Sequence, residues 1–314
     1  MRRSALLLLL LTAAAGAVAL LHSRDMRAHH ARLADATVTA TALGPVAHAS
    51  GGAGPVVLAI HGAGGGHDQG RLLAEAFLPP GHRWIAPSRF GYPGTPLPAD
   101  ASTAAQADAF AALLDALGIE AVTLVAMSGG GPPALHFALR HPHRTRALVL
   151  ISLAPYAPLT AEAQELPLPI WLYDALFATD LPLWALHRLA PRALAPVFDA
   201  QPPTTAKEAA FLDAMLAAFL PVTRRRAGLA NEGAAIDPAA AIDPAAITAP
   251  VLILHARDDR LAPLATASFT AQAIPGAELV TFPSGGHLLL GHHAAARDHI
   301  AAFLHRHSPA ETPR

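Results

Sequence analysis

The chain has no cysteine among its 314 residues, and this absence excludes several kinds of site. A thiol nucleophile, a thiolate metal site and a lipid-modified N-terminal cysteine are all ruled out. Charged residues are also scarce, at 14% of the chain, and the formal net charge is −1. Because binding to nucleic acid requires a basic surface, we expect no nucleic-acid partner. Lys207 is the only lysine, so nearly all basic side chains are arginines.

The N-terminus carries a long apolar run. Arg2-Arg3 precede an apolar run from Ala5 to Leu21, a pattern typical of a secretory signal peptide. The run is slightly long for the apolar part of a signal and slightly short for a membrane span. Residues 1–30 are therefore predicted to be either a signal peptide or an N-terminal membrane anchor. Both alternatives place the rest of the chain outside the cytoplasm, and the second attaches it to the membrane.

The most informative motif surrounds Ser128. It reads Ala126-Met127-Ser128-Gly129-Gly130, follows the apolar run Val122 to Val125 and precedes a helical pattern. This is the strand–turn–helix setting of a nucleophile elbow. The residues two before and two after the serine crowd each other in such a turn and must be small. Gly130 fits the common pattern, and Ala126 replaces the glycine that is more usual at its position. The motif predicts Ser128 as a nucleophile.

Two later strand-like runs are followed by side chains that can activate a serine. Val251 to His255 precedes Asp258-Asp259, and Leu279 to Phe282 precedes the glycine-flanked His287. An imidazole accepts the serine proton during attack, and a carboxylate fixes the tautomer of that imidazole. The order of nucleophile, acid and base along the chain favours a catalytic triad.

With these motifs the chain resembles the α/β-hydrolase superfamily from about Thr37 to His305. The resemblance implies an α/β fold: a mostly parallel central sheet flanked by helices, with a helical cap insertion. It implies Asp259 as the acid, because the acid of the family precedes two residues, a small apolar residue and a proline. Asp258 is the alternative acid. It implies His287 as the base, and the more distant candidates are His292 and His293.

The same resemblance supplies two backbone donors for the oxyanion that forms during acyl transfer. One is the N–H of Gly129, directly after the nucleophile. The other belongs to the residue that follows the His61-Gly62 pair, which is Ala63, with Gly64 as the alternative. We therefore expect Ala63 and Gly129 to bind the oxygen of the substrate carbonyl.

The predicted core is divided by an insertion. Residues 37–154 and 248–306 are expected to form the α/β core, and residues 155–247 a helical lid. Helical stretches punctuated by proline interrupt the strand–helix alternation there. In the superfamily such a lid excludes water and shapes the substrate pocket. Arg224 to Arg226 are expected on an exposed helix face, where one arginine could form a salt bridge with the core or meet an anionic substrate.

These residues predict a serine hydrolase that cleaves an ester or related acyl bond of a small, partly apolar substrate. The alternatives on the same triad are a carbon–carbon bond hydrolase, a lactonase and a perhydrolase. An alternative of another class is a protein that binds a ligand on this fold without catalysis. We expect a small-molecule substrate, no metal and no cofactor, and the sequence leaves the oligomeric state open.

Overall fold

The computed structural model of the protein describes residues 2–154, 177–235 and 242–307, together with Trp171 and Ala175. Eight strands form one sheet. They are β1 (Thr37–Thr41), β2 (Gly44–Gly51), β3 (Val56–Ile60), β4 (Arg83–Pro87), β5 (Val122–Met127), β6 (Thr145–Ile151), β7 (Val251–Ala256) and β8 (Glu278–Phe282). The central strands are short apolar runs because a parallel sheet covered on both faces buries every side chain.

The order of the strands is β1-β2-β4-β3-β5-β6-β7-β8. The pairs β1–β2 and β2–β4 are antiparallel, and the remaining pairs are parallel. The strand order reverses around β3, which lies between β4 and β5. Ligands of open α/β sheets bind outside the carboxyl ends of the strands at such a point. The loops that follow β3 and β5 are neighbours there, since Ile60 pairs with Ala126.

Helices cover both faces of the sheet. They are α1 (Arg2–Ala34), α2 (His67–Phe77), α3 (Thr103–Ala116), α4 (Gly131–Arg140), α5 (Leu181–Leu189), α6 (Ala206–Ala217), α7 (Arg226–Ala235), α8 (Leu264–Ala273) and α9 (His293–His307). One buried cluster combines residues of α2, α5, α6 and α9 with Met26 of α1. The other combines residues of α3, α4 and α8. The predicted mostly parallel sheet flanked by helices is confirmed.

The described residues between β6 and β7 contain no strand of the sheet. Residues 177–247, within which 236–241 are not described, form α5, α6, α7 and short 3₁₀ turns, and we call them the helical insertion. The whole segment 155–170, where the predicted lid begins, lies outside the described residues. The domain boundaries and the role of the insertion as a lid stay predictions.

Arg225 corrects the expectation for the arginine triplet. Arg224 and Arg226 are exposed, but the Arg225 side chain is fully buried. Its guanidinium donates to the carbonyl of Gly65 and lies 2.7 Å from the carboxylate of Asp68. A fully buried guanidinium needs such partners, because desolvation disfavours an unpaired charge. The arginine therefore joins the helical insertion to α2. A salt bridge with the core was one of the two alternatives given for this triplet.

The N-terminal helix is apolar and exposed along its first half. Among the described residues, one helix is long and apolar enough to cross a membrane, and it is α1. A signal sequence has the same property, so this finding leaves both predicted alternatives standing. The second half of α1 contacts the helical insertion, and Met26 is buried in the core. The N-terminal segment thus continues as helix past the predicted end at residue 30.

Candidate active site

Ser128 stands at the sharp turn between β5 and α4. Its φ angle is 51°, a left-handed conformation that is uncommon for any residue except glycine. Gly130 permits the turn, because a Cβ atom there would lie 2.6 Å from the carbonyl oxygen of Ile60. Gly62 leaves room for Ser128, since a Cβ there would lie 3.1 Å from the Cβ of Ser128. This is the geometry of the predicted nucleophile elbow.

Asp259 and His287 form a buried pair. The His287 Nδ1 atom lies 2.9 Å from Asp259 Oδ2. The other carboxylate oxygen accepts the N–H groups of Leu261 at 3.0 Å and Ala262 at 2.9 Å. Burial alone would raise the pKa of Asp259, but the hydrogen bond and charge of His287 outweigh it, and the pKa is lowered. The carboxylate is therefore ionised and fixed beside the imidazole.

The rival acid and the rival bases have other partners. Asp258 Oδ1 accepts the N–H of Gly286 at 2.9 Å, so it joins the acid loop to the loop that carries His287. His293 is buried between the rings of Phe77 and Phe211. His292 stacks on Phe282.

The predicted oxyanion donors lie close together. The N atom of Ala63 is 3.3 Å from the position that a Cβ would occupy on Gly129. The N–H of Gly64, the alternative donor, is already engaged because it donates to the Tyr92 hydroxyl at 3.0 Å. The geometry therefore favours Ala63 over Gly64 as the partner of Gly129 in binding an oxyanion.

A polar network behind these donors was not predicted from the sequence. The hydroxyl of Tyr92 donates to Glu232 of α7 at 2.7 Å, and the Arg89 guanidinium forms an ion pair with the same carboxylate. Glu232 Oε2 lies 2.9 Å from the Cβ position of Gly129. Burial would lower the pKa of Arg89, yet the charge of Glu232 outweighs it and the pKa is raised. No local pattern marks Glu232, which is far along the chain from both partners.

His61 supports the loop that carries Ala63, the predicted oxyanion donor. Its Nε2 atom accepts the backbone N–H of Arg89 at 3.0 Å, and its Nδ1 lies 2.7 Å from the carbonyl of Gly62. These partners require the neutral tautomer with the proton on Nδ1. Burial agrees with this, because it places the pKa of His61 well below its usual value.

Ser128 and His287 line one cavity of about 370 Å³. Most of its other lining side chains are apolar: Ala63, Met127, Phe177, Phe198, Met215, Phe219, Leu229, Leu261 and Leu288. Gln69 is the one further polar side chain among the described lining residues. Within the described part of the chain, no group of three or more metal-ligating side chains could hold a metal ion. The arrangement suits attack by a serine on an uncharged, partly apolar molecule.

Comparison with known families decides the membership of this chain. The model of the alpha/beta hydrolase fold family matches residues 55–294, which include Ser128, Asp259 and His287. The chain belongs to the alpha/beta hydrolase family. A solved alpha/beta hydrolase fold protein from Nakamurella multipartita is 29% identical, covers 86% of this chain and 99% of its own, and superposes with a TM-score of 0.69.

Two kinds of relative are about a third identical to this alpha/beta hydrolase over the aligned residues. A 2-hydroxymuconate semialdehyde hydrolase from Pseudomonas sp. strain CF600 is 34% identical over 78% of this chain and 84% of its own. A pimeloyl-[acyl-carrier protein] methyl ester esterase from Aromatoleum aromaticum is 32% identical over 74% of this chain and 91% of its own. The relatives of this alpha/beta hydrolase thus include both a semialdehyde hydrolase and an esterase.

Proposed function

We propose that the protein is a serine hydrolase that cleaves esters with an apolar acyl group, and that Ser128, His287 and Asp259 are its triad. The observation that carries the proposal is the buried Asp259–His287 pair, with His287 and Ser128 on one cavity. A carboxylate that holds an imidazole beside a serine hydroxyl is the arrangement that activates the serine.

The mechanism follows from these positions. His287 accepts the proton of Ser128 as Oγ attacks the ester carbonyl, and the N–H groups of Ala63 and Gly129 bind the developing oxyanion. Collapse of the intermediate transfers the proton from His287 to the departing alcohol and leaves an acyl group on Ser128. Water, deprotonated by His287, then releases the carboxylic acid and restores the serine. Asp259 fixes the imidazole tautomer and stabilises the imidazolium in both halves.

The lining of the cavity favours an ester over the alternative of a carbon–carbon bond hydrolase, for which the substrate named for the semialdehyde hydrolase serves as the example. A 2-hydroxymuconate is a carboxylate, and binding it in a buried site calls for a cationic partner. The described lining residues include no arginine or lysine, and Arg89 behind them is paired with Glu232. Burial of an acyl chain against the phenylalanine and leucine side chains, by contrast, makes the free energy of binding more favourable. A lactone, being a cyclic ester, would react by the same steps.

We also propose that α1 anchors the protein and that the hydrolase domain lies outside the cytoplasm. The support is the length and apolarity of α1 and its arginine pair, Arg2-Arg3, at the start. The side chains of Leu6 to Leu11 are all more than half exposed, so the folded domain leaves them uncovered. A cleaved signal peptide is the alternative, and the size of the mature chain in its native membrane distinguishes the two.

The triad is tested by single and double substitution. Ser128→Ala and His287→Ala should each lower kcat for 4-nitrophenyl butyrate by several orders of magnitude, and the double variant should be little worse, because triad residues act as a unit. His292→Ala is the matched control, since this histidine lies in the same loop but stacks on Phe282. Losses that add, or a control as inactive as His287→Ala, would contradict the assignment. Failure of a fluorophosphonate to label Ser128 would favour the ligand-binding alternative.

A further inference from the structure

The second half of α1 is joined to the helical insertion by specific contacts. Asp25 accepts the indole N–H of Trp184 at 3.1 Å and lies 3.5 Å from the guanidinium of Arg188. The ring of His22 packs edge-on against Trp184, with centroids 5.0 Å apart. Arg32 donates to the carbonyl of Ala217 at the end of α6 at 3.1 Å. The polar half of α1 is therefore held against α5 and α6.

These contacts begin where the apolar run of α1 stops. Leu21 is the last residue of the run, and Asp25 follows four residues later, about 6 Å along the helix axis. A bilayer that surrounds the apolar run would therefore end within about one helical turn of the α1–α5 contact. This places α5 at the polar–apolar boundary of that bilayer.

The outward face of α5 is apolar as well. Leu181, Leu186 and Leu189 are 46%, 37% and 83% exposed, whereas Leu183 and Trp184 on the other side are buried. A helix at the surface of a soluble domain has a polar outward face. An apolar outward face with an arginine at its edge, here Arg188, and a further arginine, Arg192, just past its end is the pattern of a helix that lies in a membrane interface.

Two neighbouring cavities lie between the inner side of α5 and Ser128. A small cavity of about 30 Å³ is lined by Leu183 of α5 together with Phe177, Leu194, Phe198, Leu216, Phe219 and Leu220. Three of these side chains, Phe177, Phe198 and Phe219, also line the cavity of Ser128. The two cavities are therefore neighbours that share these three aromatic rings.

We propose that α5 lies in the bilayer interface beside α1, and that the substrate is an acyl ester dissolved in the membrane, whose chain reaches Ser128 along α5. The proposal rests on the proposed triad and anchor, and it names their substrate class. The acyl chain would pass from lipid to the phenylalanine-lined cavity without crossing water, which avoids the cost of hydrating it. Hydrolysis by water then gives a fatty acid and an alcohol.

The position of α5 is tested with single labels, because the chain has no cysteine of its own. A nitrobenzoxadiazole group is attached to the cysteine of Leu189→Cys or of Phe269→Cys. Each labelled full chain is reconstituted into phosphatidylethanolamine–phosphatidylglycerol vesicles. Phe269 is the control: it is 54% exposed on α8, which covers the opposite face of the sheet from Met26. We expect the label at position 189 to show blue-shifted emission and quenching by nitroxide lipids, and the label at position 269 to show neither. A label at 189 that stays in water overturns the proposal.

The route of the substrate is tested by a ratio of two rates in the same vesicles. One substrate is 4-nitrophenyl palmitate dissolved in the lipid, and the other is water-soluble 4-nitrophenyl acetate. Leu186→Glu/Leu189→Glu should lower the palmitate-to-acetate ratio about tenfold or more, since two leucines leave the apolar phase, and Phe269→Glu should leave it unchanged. An unchanged ratio in the leucine variant, including an equal loss of both rates, contradicts the proposal. If the wild type cleaves neither ester, the triad assignment fails, and the label still reports where α5 lies.

Discussion

Asp258 and Asp259 are adjacent carboxylates with different surroundings. Asp259 is buried, and its two oxygens are used by His287, Leu261 and Ala262. Asp258 is half-buried and accepts a single backbone N–H, from Gly286. The first carboxylate acts on the charge and tautomer of the imidazole, and the second only on the position of the loop that carries it.

Substitutions of Asp259 and Asp258 should therefore have different effects on kcat. Asp259→Asn removes the charge beside His287, and we expect kcat for 4-nitrophenyl butyrate to fall by about 10²–10⁴, by analogy with the serine-protease triad. Asp258→Asn keeps an oxygen for Gly286 and should cost less than about tenfold. Asp258→Ala removes that acceptor and should cost more than Asp258→Asn, by about 2–10-fold for one hydrogen bond. Equal effects of Asn and Ala at position 258 would show that the hydrogen bond has no influence on turnover.

Between elements, Tyr92 links α7 to the loop that carries Ala63 and Gly64. Glu232 of α7 accepts the Tyr92 hydroxyl, and that hydroxyl in turn accepts the N–H of Gly64, the residue after Ala63. Burial raises the pKa of Tyr92 well above its usual value, and the charge of Glu232 acts in the same direction. The hydroxyl therefore stays protonated and donates to Glu232. The helical insertion thus helps to set the position of a proposed oxyanion donor.

Tyr92→Phe tests this link. The Gly64 N–H would lose its partner in a buried site, at a cost of about 1–3 kcal/mol, so we expect kcat for 4-nitrophenyl butyrate to fall about 10–100-fold. KM should change less, because an oxyanion forms only after the substrate is bound.

Glu232→Gln keeps an acceptor for Tyr92 and should lower kcat less than Tyr92→Phe does. Its Tm should fall, because Arg89 stays buried without its charged partner. A loss confined to KM would place the link in substrate binding.

The sequence predicts the elements whose signal is local. The apolar runs of β3, β5, β6 and β7 mark buried strands, and the small residues around Ser128 mark the turn. The partners of Arg225 and Glu232 could not be predicted, because each lies across the fold and neither residue has a neighbouring pattern that signals burial. The contact of α1 with α5 was missed for the same reason: composition reveals the apolar run up to Leu21, but not what the helix meets after it.

At the scale of the whole molecule, one buried ion pair joins the helical insertion to the core. Arg225 is fully buried, and the Asp68 side chain is 15% exposed. Burial would raise the pKa of Asp68, but the charge and hydrogen bonds of Arg225 outweigh it, and the pKa is lowered from 3.8. A carboxyl group with a lowered pKa in the folded state stabilises the fold above its unfolded-state pKa. That contribution is lost as the pH falls through 3.8 towards the lower folded-state value.

Stability should therefore depend on pH in part through Asp68. Asp68→Asn should lower the free energy of unfolding by about 3–5 kcal/mol near neutral pH, because Arg225 stays buried without a counter-charge. It should also flatten the loss of stability below about pH 4. Asp115→Asn is the control, since the Asp115 side chain is 70% exposed beside Arg144. Urea unfolding of the full chain in mild detergent measures both effects, and an acid slope as steep as that of the wild type would assign it to other carboxyl groups.

The strand order also sets when activity can arise during synthesis. β6 ends at Ile151 and β7 begins at Val251, yet the two strands are neighbours in the sheet. Asp259 and His287 follow β7, so a ribosome that has made the proposed anchor, the proposed nucleophile and the whole insertion has not yet made the proposed acid or base. The nascent chain would therefore hold Ser128 unactivated beside the lipid until its last fifth is made. If the protein hydrolyses membrane esters as proposed, the order of translation delays that activity until the chain is nearly complete.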